Sequence, residues 1–482
     1  MRIVIALLLV STSCMQRELE DVIPEVQSGP TFEIVQTVID EIDLLVLVDN
    51  SGSMEQEQDS LSENMPALID ALTNPGDADG DGLADPAVRS LHIGVISSDM
   101  GTMGMPVCDA PDRGDDGVLQ NLPGLDVPGC DATYPPFLTY DADDPDAGVG
   151  ADFRCVATLG TGGCGFEQQL FAVEKALTVH SAPGAANDGF LRADSLLAVL
   201  VVTDEEDCSA SDPAIYSDDL GPPNLRCSQN PGMVRPVDEF VDAVLALRPG
   251  HPERIVVAGI VGVPTDLAAL EPGQVQDRSD YERILDDPRM QEIVDGAGEN
   301  LVPSCDVPGL GKAYPPRRIV DFIRKVGRDG ENGIVQSICQ PDWGPTMQAI
   351  TRIIRSKIDG ACLPRQLSGP NGVPLVSRAH AQCVVRETLT DSRDCGPGRI
   401  EVDTRNGQTV CQICQQGDGE GEHLRDPIGN DLSACAGTAD HWFYTTEAAS
   451  CAARIEFTAG ATPEDGSHVR LECLSTLPRP ES

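Results

Sequence analysis

IDLLVLVDNSGSM, residues 42–54, is the stretch whose reading decides the fold. Residues 42–48 are aliphatic and branched, with no sustained polar alternation. A short strand of that kind is buried on both faces, as in parallel sheets covered by helices on each side. The greasy run stops at Asp49-Asn50-Ser51-Gly52-Ser53. Alternate side chains of an extended turn face the same way, so Asp49, Ser51 and Ser53 can converge on one point. A carboxylate and two hydroxyls are hard oxygen donors, suited to Mg²⁺, Mn²⁺ or Ca²⁺ rather than to zinc. Gly52 lets the chain bend closely around such an ion. A helix N-cap would account for one serine unaided. The turn's position favours the ion: it follows a strand, where open α/β sheets place their ligands, and precedes an amphipathic helix. That helix is predicted over 56–73, with Leu61, Met65, Leu68, Ile69 and Leu72 on one face.

Outward from this point, strand-like and helix-like segments alternate. LHIGVIS (91–97), LLAVLVVTD (196–204), RIVVAGIVG (254–262) and GIVQSIC (333–339) read as further strands. Helices are predicted near 166–179, 236–247, 280–296, 317–327 and 344–358. The pattern predicts an α/β fold with a doubly wound, mostly parallel sheet over residues 41–360. A Gly-, Pro- and Asp-rich excursion over 99–160 exceeds ordinary connection length and carries Cys108, Cys130 and Cys155. From 361 to 482 the style changes to short β-like runs (380–388, 441–446, 453–459, 468–474), and eight of the 17 Cys fall there. This predicts a C-terminal, disulfide-rich, mostly β domain, in which no catalytic constellation is legible.

The D-x-S-x-S turn resembles the metal-ion-dependent adhesion site of the von Willebrand factor type A domain. Two further segments extend the resemblance. The strand 196–203 runs into Asp204, within VVTDEED, where the family has a second metal-site Asp. The loop LGTGG (159–163) offers Thr161 where the family has a coordinating Thr, with Thr158 as a rival. The resemblance spans about 320 residues, from 42 to 360, and departs from the family in the long excursion and in an insertion after 264. It implies a binding site rather than a catalytic one: Mg²⁺ or Mn²⁺ at Asp49, Ser51, Ser53, Thr161 and Asp204, its shell completed by a carboxylate from a protein partner. An adhesion protein is the first expectation. A structural subunit, docked permanently into an envelope complex through the same face, is the alternative.

A second acidic segment, DADGDGLAD (77–85), puts Asp77, Asp79 and Asp81 at alternate positions before Gly82, with Asp85 at a ninth. It resembles the front half of an EF-hand-like or thrombospondin type 3 calcium loop. Position twelve is Val88, so the bidentate Glu is missing and modest affinity for Ca²⁺ is expected; a solvated acidic turn is the alternative.

The N-terminus reads Met1, Arg2, an apolar run at 3–10, then STSC ending at Cys14. That is a secretory signal, too short to span a bilayer. Its exit resembles a bacterial lipobox with Cys14 as the lipid-bearing residue, though Ser11 stands where the family has Leu. Residues 1–14 are therefore expected to be signal peptide and lipobox, and 15–40, polar and Pro-dotted, a tether. Met15 and Gln16, with no Asp after Cys14, imply an outer-membrane or cell-surface lipoprotein.

Lending Cys14 to lipid leaves 16 Cys, an even number, as a disulfide framework in an oxidising compartment requires. Cys155–Cys164 and Cys208–Cys227 are the sequence-neighbour pairings to expect. The lone CxxC, Cys411 to Cys414, reads as structural rather than as redox or zinc. A net charge of −45 argues against nucleic acid as a partner, since phosphate neutralisation needs clustered Lys and Arg. An enzyme is not expected: Ser51 and Ser53 lack a G-x-S-x-G elbow, and the carboxylates at 204–207 have no neighbouring His or Lys to act as base.

Overall fold

The computed structural model describes residues 35–37, 41–74, 88–124, 127–142, 148–268, 275–308, 311–358 and 363–473, the last with short gaps at 364–365, 369–372, 390–391, 406, 447–452 and 464–466. Cys14, the acidic segment holding Asp77, Asp79, Asp81 and Asp85, and Cys362 and Cys451 lie outside the described residues.

In chain order the first part comprises β1 (Val35–Thr37), β2 (Glu41–Val48), α1 (Glu55–Thr73), β3 (Ser90–Ser97), β4 (Leu138–Asp141), α2 (Val149–Ala157), α3 (Gln169–Leu177) and β5 (Leu196–Val202). It continues with α4 (Pro223–Gln229), α5 (Val237–Leu245), β6 (Ile255–Val261), α6 (Thr265–Ala268), α7 (Arg278–Asp286), β7 (Cys305–Val307), β8 (Gly311–Ala313), α8 (Arg317–Val326), β9 (Gly333–Ser337) and α9 (Gly344–Ile358). β10 (Cys383–Thr388), β11 (Arg399–Arg405), β12 (Gln408–Ile413), β13 (Trp442–Thr445), β14 (Arg454–Phe457) and β15 (His468–Cys473) follow.

Six strands form one sheet in the order β4-β3-β2-β5-β6-β9, parallel except for β4, which pairs antiparallel with β3 at the edge. The missing polar alternation of residues 42–48 has its cause here. Ile42, Leu44, Val46 and Val48 pack on one face with α1, α2 and α9, through Leu61, Met65, Phe153 and Ile350. Leu45 and Leu47 pack on the other with α3, α5, α7 and α8, through Leu170, Phe240, Ile284 and Phe322. Both faces are covered, so every position is apolar except Asp43.

Asp43 is buried at the amino end of β2 and fully partnered. Arg192 donates to it from Nε (2.7 Å) and from its backbone N–H (2.6 Å), and Ser195 Oγ donates at 2.5 Å. The chain builds β3 on one side of β2 and later returns to build β5 on the other. β2 is therefore the point where strand order reverses, and its carboxyl end opens a crevice.

A second sheet, β1-β15-β10-β12-β11, is antiparallel throughout. It shares a core with the β13–β14 pair through Val385, Ile413, Trp442, Tyr444 and Leu471. The C-terminal region is thus β and disulfide-rich: Cys383–Cys473 joins directly opposed strand positions, and Cys395–Cys411 and Cys414–Cys435 staple its loops. The two cysteines of the CxxC therefore pair elsewhere, not with each other.

Several expectations need correction. Val35–Thr37, placed in the tether, pairs with His468–Arg470 as an edge strand of the second sheet. The 99–160 excursion holds an edge strand and a helix, β4 and α2, whose Leu138 and Phe153 join the main core. The helix predicted over 280–296 ends at Asp286, because Asp287 precedes Pro288 and adopts extended backbone. Cys208–Cys227 forms, but Cys155 and Cys164 do not pair. Cys155 at the end of α2 meets Cys130, and Cys164 meets Cys108.

Peptide mapping under non-reducing conditions should recover a Cys130–Cys155 crosslink and none joining Cys155 to Cys164. Leu44→Ala, which empties a fully buried site between α1 and the sheet, should cost about 3 kcal/mol in chemical denaturation.

Candidate metal centre

Parallel register brings the site together before any side chain is considered. Val48 stands opposite Ser97 on β3 and Val202 on β5, so the residues just beyond, Asp49, Ser98 and Thr203, emerge at one level. The Asp49 carboxylate is buried and takes donors from all three strand ends. Ser98 Oγ donates to Oδ1 at 2.9 Å, Thr203 Oγ1 to Oδ2 at 2.6 Å, and the Ser51 N–H to Oδ1 at 2.9 Å. An ionised carboxylate has about four lone-pair positions, so these donors leave little of Asp49 free. It supplies charge and fixes the turn.

The rest forms a chain of oxygens. Ser51 Oγ and Ser53 Oγ are 3.1 Å apart, and Ser53 Oγ donates to Asp204 Oδ1 at 3.1 Å. Asp204 is buried, and its Oδ2 has no hydrogen-bond partner. Four of the five residues named from sequence are therefore linked: Asp49, Ser51, Ser53 and Asp204.

Thr161 is exposed and takes part in none of these hydrogen bonds, but its loop is bound to the same turn. Gln58 on α1 donates through Nε2 to the Asp49 carbonyl (2.8 Å) and to the Gly160 carbonyl (2.7 Å), and its Oε1 accepts from the Gly160 N–H (2.9 Å). The Gly163 N–H donates to the Asn50 carbonyl at 2.8 Å. A Cβ on Gly163 would lie 2.1 Å from Asn50 Oδ1, so only glycine allows this approach. Thr158, the rival, spends its hydroxyl on the Arg154 carbonyl at the end of α2 (3.0 Å).

Ser98, Thr203, Glu57 and Gln58 were not singled out from sequence. The first two are implied by register once the strands are aligned. Glu57 and Gln58 left a subtler signal, as polar residues on the stripe of α1 that carries Leu61 and Met65. Both are buried, and Glu57 Oε2 has no partner.

The electrostatics are one-sided. Burial raises the Asp49 carboxyl above its ordinary range, and burial together with the Asp49 charge raises Asp204 well above its own. Burial, then the charges of Glu205 and Asp49, raise Glu167 well above its usual value. Burial pushes Glu57 and Glu205 up to about 7 and Glu206 to about 8. Lys312 tempers Glu205, and Arg318 tempers Glu206. Arg318 itself pairs with Asp207, whose Oδ2 lies 3.1 and 3.0 Å from its Nε and Nη2, anchoring the loop after β5.

The donor set fits a hard divalent cation. It has buried carboxylates that lack counter-cations, an unpartnered oxygen on Asp204, and hydroxyls between. Among the described residues no group of three or more His, Cys, Asp or Glu side chains is arranged to hold a metal. Any ion here therefore depends on the serine hydroxyls.

No protein-family model matches the chain, and no curated protein matches it. Solved structures show loose likeness, among them the following three. Proximal thread matrix protein 1 from the mussel byssus is 10% identical, with a TM-score of 0.24, over 70% of this chain and 52% of its own. The von Willebrand factor type A structure from Catenulispora acidiphila is 9% identical, with a TM-score of 0.26, over 94% of this chain and 63% of its own. The pilus adhesin SpaC of Lactobacillus rhamnosus GG is 10% identical, with a TM-score of 0.28, over 90% and 44%. The chain thus spans less than two thirds of each, and these scores are too low to define a shared fold.

A group whose carboxyl is raised on folding contributes stability at low pH and loses it as pH rises through the folded value. Glu57 has an ordinary value of 4.5 and a folded one of about 7. The metal-free protein should therefore lose stability between about pH 5 and about pH 8. Glu57→Gln should remove about 2 kcal/mol of that loss, read as a flatter profile of melting temperature against pH.

Proposed function

We propose that this chain is a surface binding protein that engages a protein partner through a divalent cation at the carboxyl end of β2. Asp49, Ser51, Ser53, Thr161 and Asp204 would hold the cation, Mg²⁺ or Mn²⁺. The cation would supply the positive centre to which a partner carboxylate is drawn. The single observation that carries the reading is the hydrogen-bonded chain Ser51–Ser53–Asp204, ending in a buried oxygen without a partner. An unpaired carboxylate in that setting costs several kcal/mol unless a cation joins it. The D-x-S-x-S turn supports the family resemblance, and so does its place at the strand-order reversal.

The proposal is of binding rather than catalysis. Hydroxyls and carboxylates fixed around a cation hold a ligand without supplying an activated nucleophile. Seven disulfides among the described residues fit a secreted or surface protein, and no helix there is long and apolar enough to cross a membrane. Attachment through lipid at Cys14 belongs to the same proposal, as does modest Ca²⁺ binding at Asp77, Asp79, Asp81 and Asp85.

Asp49→Ala removes the charge at the centre of the turn and leaves the Ser98 and Thr203 hydroxyls and the Ser51 N–H without their acceptor. Mg²⁺ at a hundredfold excess over Kd should stabilise the wild type by about 3 kcal/mol in thermal melts, and the variant far less. Equal stabilisation of both proteins would refute the site. So would partner capture from surface extracts that is unchanged by chelator.

A further inference from the structure

Gln58 is buried on α1, on the stripe that carries Leu61 and Met65, yet its side-chain hydrogen bonds go neither to its own helix nor to a strand. A methionine would fill that place with no polar group to satisfy. A buried amide costs free energy unless its donors and its acceptor oxygen are matched. Here they are, and every partner belongs to the candidate centre. Nε2 donates to the carbonyls of Asp49 (2.8 Å) and Gly160 (2.7 Å), and Oε1 accepts from the Gly160 N–H (2.9 Å). The two carbonyls share one nitrogen, so the Gly160 loop is held in register with the turn that opens at Asp49. Gly160 offers both its backbone groups to this amide in a left-handed conformation (φ +79°), which glycine adopts freely.

A second pin lies at Gly163. Its N–H donates to the Asn50 carbonyl (2.8 Å), at a contact where a Cβ would lie 2.1 Å from Asn50 Oδ1. Asn50 is itself fixed. Its Nδ2 donates to Asp115 Oδ2 (3.3 Å), which also accepts from Ser97 Oγ at the end of β3 (2.6 Å). Both ends of the loop are thus fastened to consecutive residues of the D-x-S-x-S turn. Thr161 and Gly162 are the span between the pins, with the Thr161 side chain exposed.

A short loop fastened at both ends has little freedom left to lose when its hydroxyl turns onto an ion. Released from either pin, the same loop would have to be ordered by the ion itself.

We infer that Gln58 is a positioning residue for the cation site: without touching the ion, it sets where Thr161 stands relative to Asp49, so that the Thr161 hydroxyl can join the shell. This rests on the reading of Asp49, Ser51, Ser53, Thr161 and Asp204 as that site. It adds a residue that the D-x-S-x-S pattern does not contain.

The test is a double-substitution cycle on the full chain. Mg²⁺ is titrated calorimetrically into the wild type, Gln58→Met, Thr161→Val and the protein carrying both, and only heat absent from Asp49→Ala counts as the site's own. Each single substitution should weaken Mg²⁺ binding by about tenfold or more, and the pair should bind no more weakly than Thr161→Val alone. Gly163→Ala, which breaks the second pin, should reproduce the loss and likewise add nothing to Thr161→Val; it decides the matter if Gln58→Met fails to fold. Unchanged Mg²⁺ affinity in Gln58→Met overturns the inference. So does a loss that multiplies with that of Thr161→Val, since Gln58 would then act on the turn directly. Thr161→Val that binds like the wild type, while Asp49→Ala does not bind, also overturns it and leaves a cation site standing without Thr161. Equal heat from the wild type and Asp49→Ala overturns the inference and the site together.

Discussion

Negative charge buried without a cation is the constraint on which the upper face of this molecule depends. The two ends of β2 make the contrast within a single strand. At the amino end Asp43 is as buried as Asp49, yet it receives a guanidinium, a backbone N–H and a hydroxyl, and its charge is neutralised. At the carboxyl end Asp49 receives only hydroxyls and an N–H, and Asp204, Glu57 and Glu167 stand within range of its field. Folding concentrates like charges at one end of the sheet and neutralises charge at the other. A protein that gained nothing from the first arrangement would be more stable with apolar residues there. The asymmetry is therefore the physical ground for reading the site as functional.

The loops that build this face are held by crosslinks rather than by extensive cores. Cys108–Cys164 closes the segment that leads to Thr161, Cys208–Cys227 closes the loop beyond Asp204, and Cys305–Cys339 ties the β7–β8 hairpin to the end of β9. That hairpin presses on the site. Tyr314 N–H donates to the Asp204 carbonyl (2.8 Å), and Gly311 lies so close to Glu57 that a Cβ there would meet its carboxylate. The loops that carry Thr161 and follow Asp204 thus have a covalent brace within a few residues, which preorganises side chains that repel one another.

Much of this was legible in the chain because burial on two faces leaves a plain mark. Unbroken aliphatic runs at 44–48 and 196–202 announced central parallel strands, and the D-x-S-x-S turn announced oxygen-bearing side chains at the end of one of them. What escaped was whatever depends on distant partners. β4 is four residues long with only Leu138 and Tyr140 turned inward, too short for its period to rise above the glycines and prolines around it. Glu57 and Gln58 look like ordinary surface residues of a helical first turn until the Gly160 loop and Gly311 are placed on top of them. Disulfide pairing followed proximity in space and not in sequence, so Cys155 passed over Cys164 for Cys130.

The bond from Thr203 to Asp49 spans 154 positions, and that distance has a kinetic meaning. β2 is the first strand of its sheet to be synthesised and among the last to be enclosed. β3 can flank it early, but its other edge and its second greasy face stay open until β5 has been made. Through that interval a largely apolar strand offers a row of unpaired amides to any neighbour, a state prone to aggregation. The local crosslinks at 130–155 and 208–227 do nothing to shield it. Biogenesis of this protein should therefore be limited by how long β2 waits, and holding the nascent chain until residue 202 has emerged is the help it would need most.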